Sequence, residues 1–291
     1  MARKFKLGIR LTTVSVFVLV TFMTALLAIS LQYYFGQRMA RQVAQDIYIQ
    51  VSESLVAELT AVERQSGNSV ELLAEHPALV GGDTRRDVRP LFARVLQQNP
   101  LFYGLYIGRS NGDFYELINL EASMEARQML QASPTDRWVE IFINDRTEPR
   151  QRQFLYYNDQ FELRFERTEL TDYDPKKRSW DQQAVVQTEL YQTAPYLFAQ
   201  LQVPGQTLSK QLPDHTSVVG MDILLTSLSG FLREQGFGSG KGDAFIFQPD
   251  GELIASSTML AEQPALSLPT FPMTDSEKAW VAQQPVLKVS N

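Results

Sequence analysis

The chain has 291 residues, of which 44% are hydrophobic, enough for a buried core, which excludes global disorder. It has no cysteine, which excludes a disulfide framework and thiolate metal sites. Its two histidines, His76 and His215, leave His-rich metal sites and most His-based catalysis poorly supplied. The net charge is −6, and the first ten residues carry Arg3, Lys4, Lys6 and Arg10 without an acid, so the remainder is more acidic than the whole. An acidic body argues against nucleic acid as the main partner.

Residues 11–31 contain no charged side chain. At about 1.5 Å per residue they span roughly 31 Å, the thickness of a bilayer core. The basic cluster precedes them, and Gln32, Tyr33, Tyr34 and Phe35 follow. Positive charge marks the cytoplasmic side and aromatic rings favour the interface. The expected topology is therefore a cytoplasmic tail over 1–10, a transmembrane helix over 11–35, and the bulk of the chain outside. A cleaved signal peptide is the competing reading, with Ala28-Ile29-Ser30 as its weak cleavage site. Its apolar region would be shorter, about 7–15 residues.

Met39, Val43, Ile47, Val51, Leu55, Leu59 and Val62 recur at helical steps, one apolar stripe along a long helix. Residues 36–76 thus read as a stalk, with Gly67-Asn68 as a weak point where the helix kinks or breaks. The stripe equally suits packing on the helix's own domain or pairing across a dimer. Gly81-Gly82-Asp83-Thr84 leads to a shorter helix over 85–98, whose true start is a candidate for Pro90.

Strands follow. Residues 101–108 and 113–120 flank Arg109-Ser110-Asn111-Gly112, a hairpin with the Asn-Gly signal. A short helix or irregular link is expected over 121–132 and a strand over 138–144. A second hairpin spans 151–157 and 161–170. In its second arm Phe161, Leu163 and Phe165 alternate with Glu162, Arg164 and Glu166, which predicts an antiparallel sheet with one wet face. Further strands are read at 184–189, 196–202, 207–210 and 217–224, with Pro204-Gly205 as a turn. A helix over 225–235 closes on glycines, and 243–248 with 252–257 form a hairpin around Pro249-Asp250-Gly251. From Met259 onward four prolines and no strand pair suggest that the second module is incomplete and the chain stops before its natural end.

The stretch with the most chemistry is 173–181, reading Tyr-Asp-Pro-Lys-Lys-Arg-Ser-Trp-Asp. Cations beside Tyr and Trp on a fixed turn are the parts that hold a small anion: charge-assisted donors and rigid aromatic walls. The plainer reading is a solvated turn, with Trp180 packed on the core. Gly236-Phe237-Gly238-Ser239-Gly240-Lys241-Gly242 looks like a phosphate loop but has the wrong glycine spacing, no Ser/Thr after the lysine, and helix-to-strand context. Its glycines suit a helix cap and turn. Asp172, Asp174 and Asp181 lie close together, but nothing marks a catalytic pair, and Asp174-Pro175 is ordinary turn chemistry.

Residues 173–180 resemble the Cache signature Tyr-Asp-Pro-Arg-x-Arg-Pro-Trp-Tyr, with Lys176 for the first Arg, Ser179 for the second Pro, and Asp181 for the final Tyr. Ala194-Pro195-Tyr196, Pro204-Gly205-Gln206-Thr207 and Val218-Val219-Gly220-Met221-Asp222 also fit, and the order of parts resembles a bacterial double Cache (dCache) sensor domain. The resemblance implies an α+β chain: a membrane helix, a stalk helix, a PAS-like ligand-binding module over 77–224, and the start of a membrane-proximal module over 225–291. By position it implies that Tyr173, Arg178 and Trp180 face a ligand carboxylate, and that Tyr196 and Asp222 face its ammonium. Asp181 departs from the pattern by adding a negative charge on the carboxylate side, which makes an amine or another polar metabolite the alternative ligand. The resemblance also implies a homodimer in the bacterial inner membrane and an output domain elsewhere in the protein. No cofactor and no catalysis by this chain are expected. The rival readings are a tethered periplasmic hydrolase using paired carboxylates and an interaction module with no ligand.

Overall fold

The computed structural model describes residues 9–81, 84–144, 148–187, 189–198, 201, 203–234, 236, 244–247 and 253–257. The basic cluster at 3–6, Gly82-Asp83, the Pro249-Asp250-Gly251 turn, the glycine loop after Gly236 and the stretch from Met259 lie outside them. The chain divides into two compact units, Met1–Ala61 and Val62–Asn291.

Helix α1 spans Ile9–Ala74. No proline occurs before Pro77, and the helix ends just ahead of it, where the residue before proline disfavours helical geometry. In the first unit, Thr12–Val43 holds an 18-residue stretch with a mean hydropathy of 2.5 and is long and apolar enough to cross a membrane. Its Thr21, Thr24 and Ser30 hydroxyls donate to carbonyls four residues earlier, so these polar groups are already satisfied. The expected break at Gly67-Asn68 does not occur. Gly67 serves packing: a Cβ there would come within 2.9 Å of the Leu190 side chain.

In the second unit the end of α1, with α2 (Pro77–Gly81), a π-helical turn at Thr84–Val88 and α3 (Arg89–Gln98), lies against a nine-stranded sheet. Pro90 sits in the first turn of α3, where its missing N–H costs nothing. The strands are β1 (Phe102–Arg109), β2 (Phe114–Asn119), β3 (Trp138–Ile143), β4 (Gln151–Tyr157), β5 (Leu163–Leu170), β6 (Tyr191–Gln192), β7 (Tyr196–Leu197), β8 (Pro204–Gln211) and β9 (Ser217–Leu224). Every pairing is antiparallel, in the order β5-β4-β3-β2-β1-β9-β8-β6, with β7 also on β8. The meander from β1 to β5 therefore ends at one edge, and the chain returns to lay β9 beside β1. Helices α4 (Met124–Met129), α5 (Ser179–Gln187) and α6 (Leu225–Glu234) complete the unit, and β10 (Phe245–Phe247) pairs with β11 (Leu253–Ser256) in a separate hairpin.

Two strand expectations and one turn are corrected. Residues 184–187 are the end of α5, not strand: Trp180 and Ala184 are buried one turn apart, while the β-branched Val185 and Val186 face outward. Of 196–202, only Tyr196–Leu197 is strand among the described residues. Pro204-Gly205 opens β8 instead of turning, pairing with Leu197 and Tyr196. The wet face is also corrected. One set of strand side chains, including Leu105, Leu117 and Met221, packs under α1 and α3, and the opposite set, including Tyr106, Ile118 and Val139, forms a second core with Trp180 of α5. The edge strand β5 stays largely exposed, Leu163 and Phe165 included. Phe161 leaves the alternation, with φ 58°, and stacks on Trp138 at 5.4 Å.

Burial on both faces makes a charge inside a strand costly unless it is paired. Glu140 of β3 is fully buried and receives Arg89 through two hydrogen bonds of 2.7 Å, with the Tyr115 hydroxyl donating at 2.9 Å. The pair pins the first residue of α3 to the sheet. Glu140→Ala is expected to destabilise the chain by about 3–5 kcal/mol, because it leaves the guanidinium without its partner. Chemical denaturation checks this, and a change below about 1 kcal/mol would contradict a buried, pinning pair.

Candidate functional site

On the face opposite α1 and α3, polar groups gather where β1, β9 and β8 lie side by side. The register aligns Gly104 with Asp222 and Asp222 with Thr207. Asp222 is buried, and its Oδ1 accepts from Thr207 Oγ1 at 2.5 Å and from the Tyr106 hydroxyl at 2.8 Å. With the Thr207 hydrogen committed to Asp222, the Tyr196 hydroxyl donates to Thr207 Oγ1 at 2.7 Å. Asp222 Oδ2 accepts no hydrogen bond from a described residue. Gly220 makes the arrangement possible: a Cβ there would stand 2.1 Å from the Tyr106 ring, which lies across the glycine.

The turn before α5 supplies the cation. Asp174 Oδ1 accepts from the Lys176 amide at 3.1 Å, and Pro175 starts the 3-10 turn Pro175–Lys177. The Arg178 amide closes it on Pro175 O at 2.9 Å. Of the three consecutive cations, Lys176 and Lys177 are exposed and Arg178 is half-buried. The Arg178 guanidinium lies 5.8 Å from the Tyr173 ring centre and 6.0 Å from that of Tyr196. It makes no hydrogen bond or ion pair with a described residue. Trp180 is 1% exposed and meets Tyr106 edge-on at 4.7 Å, so it packs the core and walls the site together.

These groups enclose one hollow: Tyr173, Arg178, Trp180, Tyr196 and Asp222 line it, with Tyr106, Phe114, Glu116 and Phe198. Its free volume is ≈ 10 Å³, room for about one water. Asp181 does not line it. Its carboxyl lies beside Gly108 of β1, and burial, then Asp174, pushes it up to about 6, offset by Lys176. Asp172 is exposed and Asp174 is spent on its turn, so the three acids form no shared site. A larger open groove of ≈ 500 Å³ runs past Arg150, Arg152 and Leu170 and touches the hollow's wall at Tyr173. Its cations are engaged: Arg152 with Glu169, and Arg150 with the Gly112 carbonyl. The described residues hold no group of three or more His, Asp or Glu side chains able to bind a metal. Gly236 has φ 90°, and its amide bonds Arg233 O, as a helix cap does.

Tyr106, Phe114, Glu116, Phe198 and Thr207 are additions that sequence reasoning missed. One signal was available for Glu116: it is the lone charge in Phe114–Asn119, a strand too apolar for a wet face.

No protein-family model and no curated protein sequence matches the chain. Among solved structures it is similar to the ligand-binding domain of the Campylobacter jejuni chemoreceptor Tlp3 in complex with 4-methylisoleucine, at 17% identity over 75% of this chain and 70% of that one, TM-score 0.43. It is similar to the ligand-binding domain of the Pseudomonas fluorescens chemoreceptor CtaA in complex with L-valine, at 16% over 75% and 74%, TM-score 0.40. A structure described as methyl-accepting chemotaxis protein X matches at 12% over 79% and 78%, TM-score 0.45.

Burial pushes Asp222 up to about 7, against the lowering effect of Thr207, Tyr106 and Arg178. An unfolded Asp releases its proton near pH ~4. Between these values the folded chain binds more protons than the unfolded one, so the contribution of Asp222 to stability is full below about pH 4 and is lost as pH rises towards about 7. Asp222→Asn is expected to remove this fall, whose slope is at most ~1.4 kcal/mol per pH unit. Denaturation of both proteins from pH 4 to 8 checks it, and identical slopes would place the titration elsewhere.

Proposed function

We propose that this chain is the extracytoplasmic sensing region of a bacterial transmembrane signal-transduction receptor, and that the hollow binds a small metabolite through an α-amino acid headgroup. The observation that carries this reading is a guanidinium unpaired among the described residues and a half-satisfied buried carboxylate facing the same hollow. A guanidinium matches a carboxylate through paired donors, and Asp222 Oδ2 matches an ammonium. Tyr173 and Tyr196 flank Arg178 at cation–π distance, which favours a guanidinium held beside the hollow. Because Asp181 lies outside the hollow, it does not oppose a carboxylate there. That favours an amino acid over a simple amine.

Residues 1–10 would then be cytoplasmic, 11–35 the membrane span, 36–76 the stalk, 77–224 the sensing module and 225–291 the start of a membrane-proximal module. The apolar segment Thr12–Val43 and the basic cluster before it support anchoring in the inner membrane with the N-terminus inside. Pairing of stalk helices into a homodimer would suit the apolar stripe. The hollow must widen to admit an amino acid, so part of the binding free energy goes into moving its walls. That movement is the signal: a ligand biases a two-state element only by its differential affinity for the two states. The chain itself would catalyse nothing, and output would lie with another domain.

The test is a thermal-shift series on the detergent-solubilised chain with L-amino acids, their decarboxylated amines and their deaminated acids. At about 100 times Kd, an amino acid should stabilise by about 2.7 kcal/mol. Both partial headgroups should lose most of that shift, and Arg178→Ala and Asp222→Asn should each abolish it. A shift that survives Arg178→Ala, or one given equally by the bare amine, would overturn the assignment.

A further inference from the structure

Glu116 has no part in the headgroup contacts. It sits on β2 opposite Tyr106 of β1, on the face that forms the hollow. It is 3% exposed. Its carboxyl makes no hydrogen bond and no ion pair with a described residue. Arg152 acts on it from a distance but is itself paired with Glu169 and lies 5.0 Å from the Phe154 ring centre. The space Glu116 uses exists because β1 carries glycine next to it: a Cβ on Gly104 would lie 3.0 Å from Glu116 Oε1. Gly104 is also the residue aligned with Asp222, so the glycine leaves open the strip of sheet between the two acids.

An unpaired buried carboxyl is expensive to keep. Leu or Met would fill the same site at no such cost, as Ile118 does one step along the same face. Among the described residues, the charged groups facing the hollow are then one cation, Arg178, and two acids, Asp222 and Glu116, and neither acid is in an ion pair with another described residue. We propose that Glu116 selects the ligand's side chain, and that the ligand is a dibasic α-amino acid whose second cationic group pairs with Glu116. This rests on the headgroup reading above and adds the second cation to it. One carboxylate and two cationic groups complement one guanidinium and two carboxylates, and each charge that enters meets its opposite in a water-poor site. Burial, and then the charge of Asp222, pushes Glu116 well above the usual carboxylate range. A cation standing beside Glu116 opposes that rise and favours its carboxylate.

The experiment is isothermal titration of the detergent-solubilised chain with L-lysine, L-ornithine and L-norleucine; norleucine is lysine without its terminal ammonium. The wild-type chain should bind lysine or ornithine at least about tenfold more tightly than norleucine, the size of one charge-assisted pair. Glu116→Gln should erase that preference and leave or improve norleucine binding. Equal affinity for norleucine in the wild type, or an unchanged preference in Glu116→Gln, would overturn the role of Glu116. The wild-type comparison decides this even if the variant fails to fold. If only amino acids with one ammonium bind, the headgroup reading stands and the second cation falls. If no amino acid binds, both fall.

Discussion

One carboxylate on the inner face of the sheet constrains the rest. Asp222 can be buried only because three neighbours arrive from fixed directions: Thr207 from β8, Tyr106 from β1, and Tyr196 behind Thr207 from β7. Each contact depends on register. Sliding β9 by one residue would turn Asp222 to the other face, into the apolar packing of Leu105 and Met221 under α1 and α3. The antiparallel ladder that holds the unit together is thus the device that aims the site.

The same strands serve two faces with opposite solutions to buried charge. Under α3, Glu140 is fully engaged by Arg89 and Tyr115, a closed arrangement that fixes a helix to the sheet. On the other face, among the described residues, Asp222 is engaged through one oxygen, Glu116 through none, and Arg178 by tyrosine rings alone. A satisfied pair holds the fold, and unsatisfied groups hold capacity for something else. Val70, Leu73 and Ala74 at the end of α1 pack on the satisfied face, one strand thickness from the hollow. Under the proposed function, widening of the hollow would reach α1 through β1 and β9, whose side chains alternate between the two cores.

Much of this was legible in the residues. Asn111-Gly112 marked the β1–β2 turn, and Gly112 does adopt φ 93°. Asp174-Pro175 marked the turn that presents Arg178, and the α+β order of most parts was readable, α5 excepted. Failures came where a local signal had another cause. Val185 and Val186 suggested a strand, but they are the outward side of a helix whose inward side is Trp180 and Ala184. Pro204-Gly205 suggested a turn, but Gly205 is there to receive the Phe198 ring, which would meet a Cβ at 2.2 Å. Alternation in β5 suggested a half-wet sheet, but β5 is an edge strand and does not speak for the centre. The acids Glu116 and Glu140 could not be told from surface charges by residue type. What betrays them is company: each is the only charge in a six-residue strand of otherwise uncharged, largely apolar side chains.

The account stands on Arg178 and Asp222 holding two ends of one molecule. A crystal structure of the chain grown with the amino acid that stabilises it most measures this directly. The account predicts a carboxylate on the Arg178 guanidinium at about 2.8 Å, an ammonium on Asp222 Oδ2, and a hollow widened to hold them. A ligand lying instead in the open groove beside Arg150 and Arg152, with the hollow still closed, would contradict it.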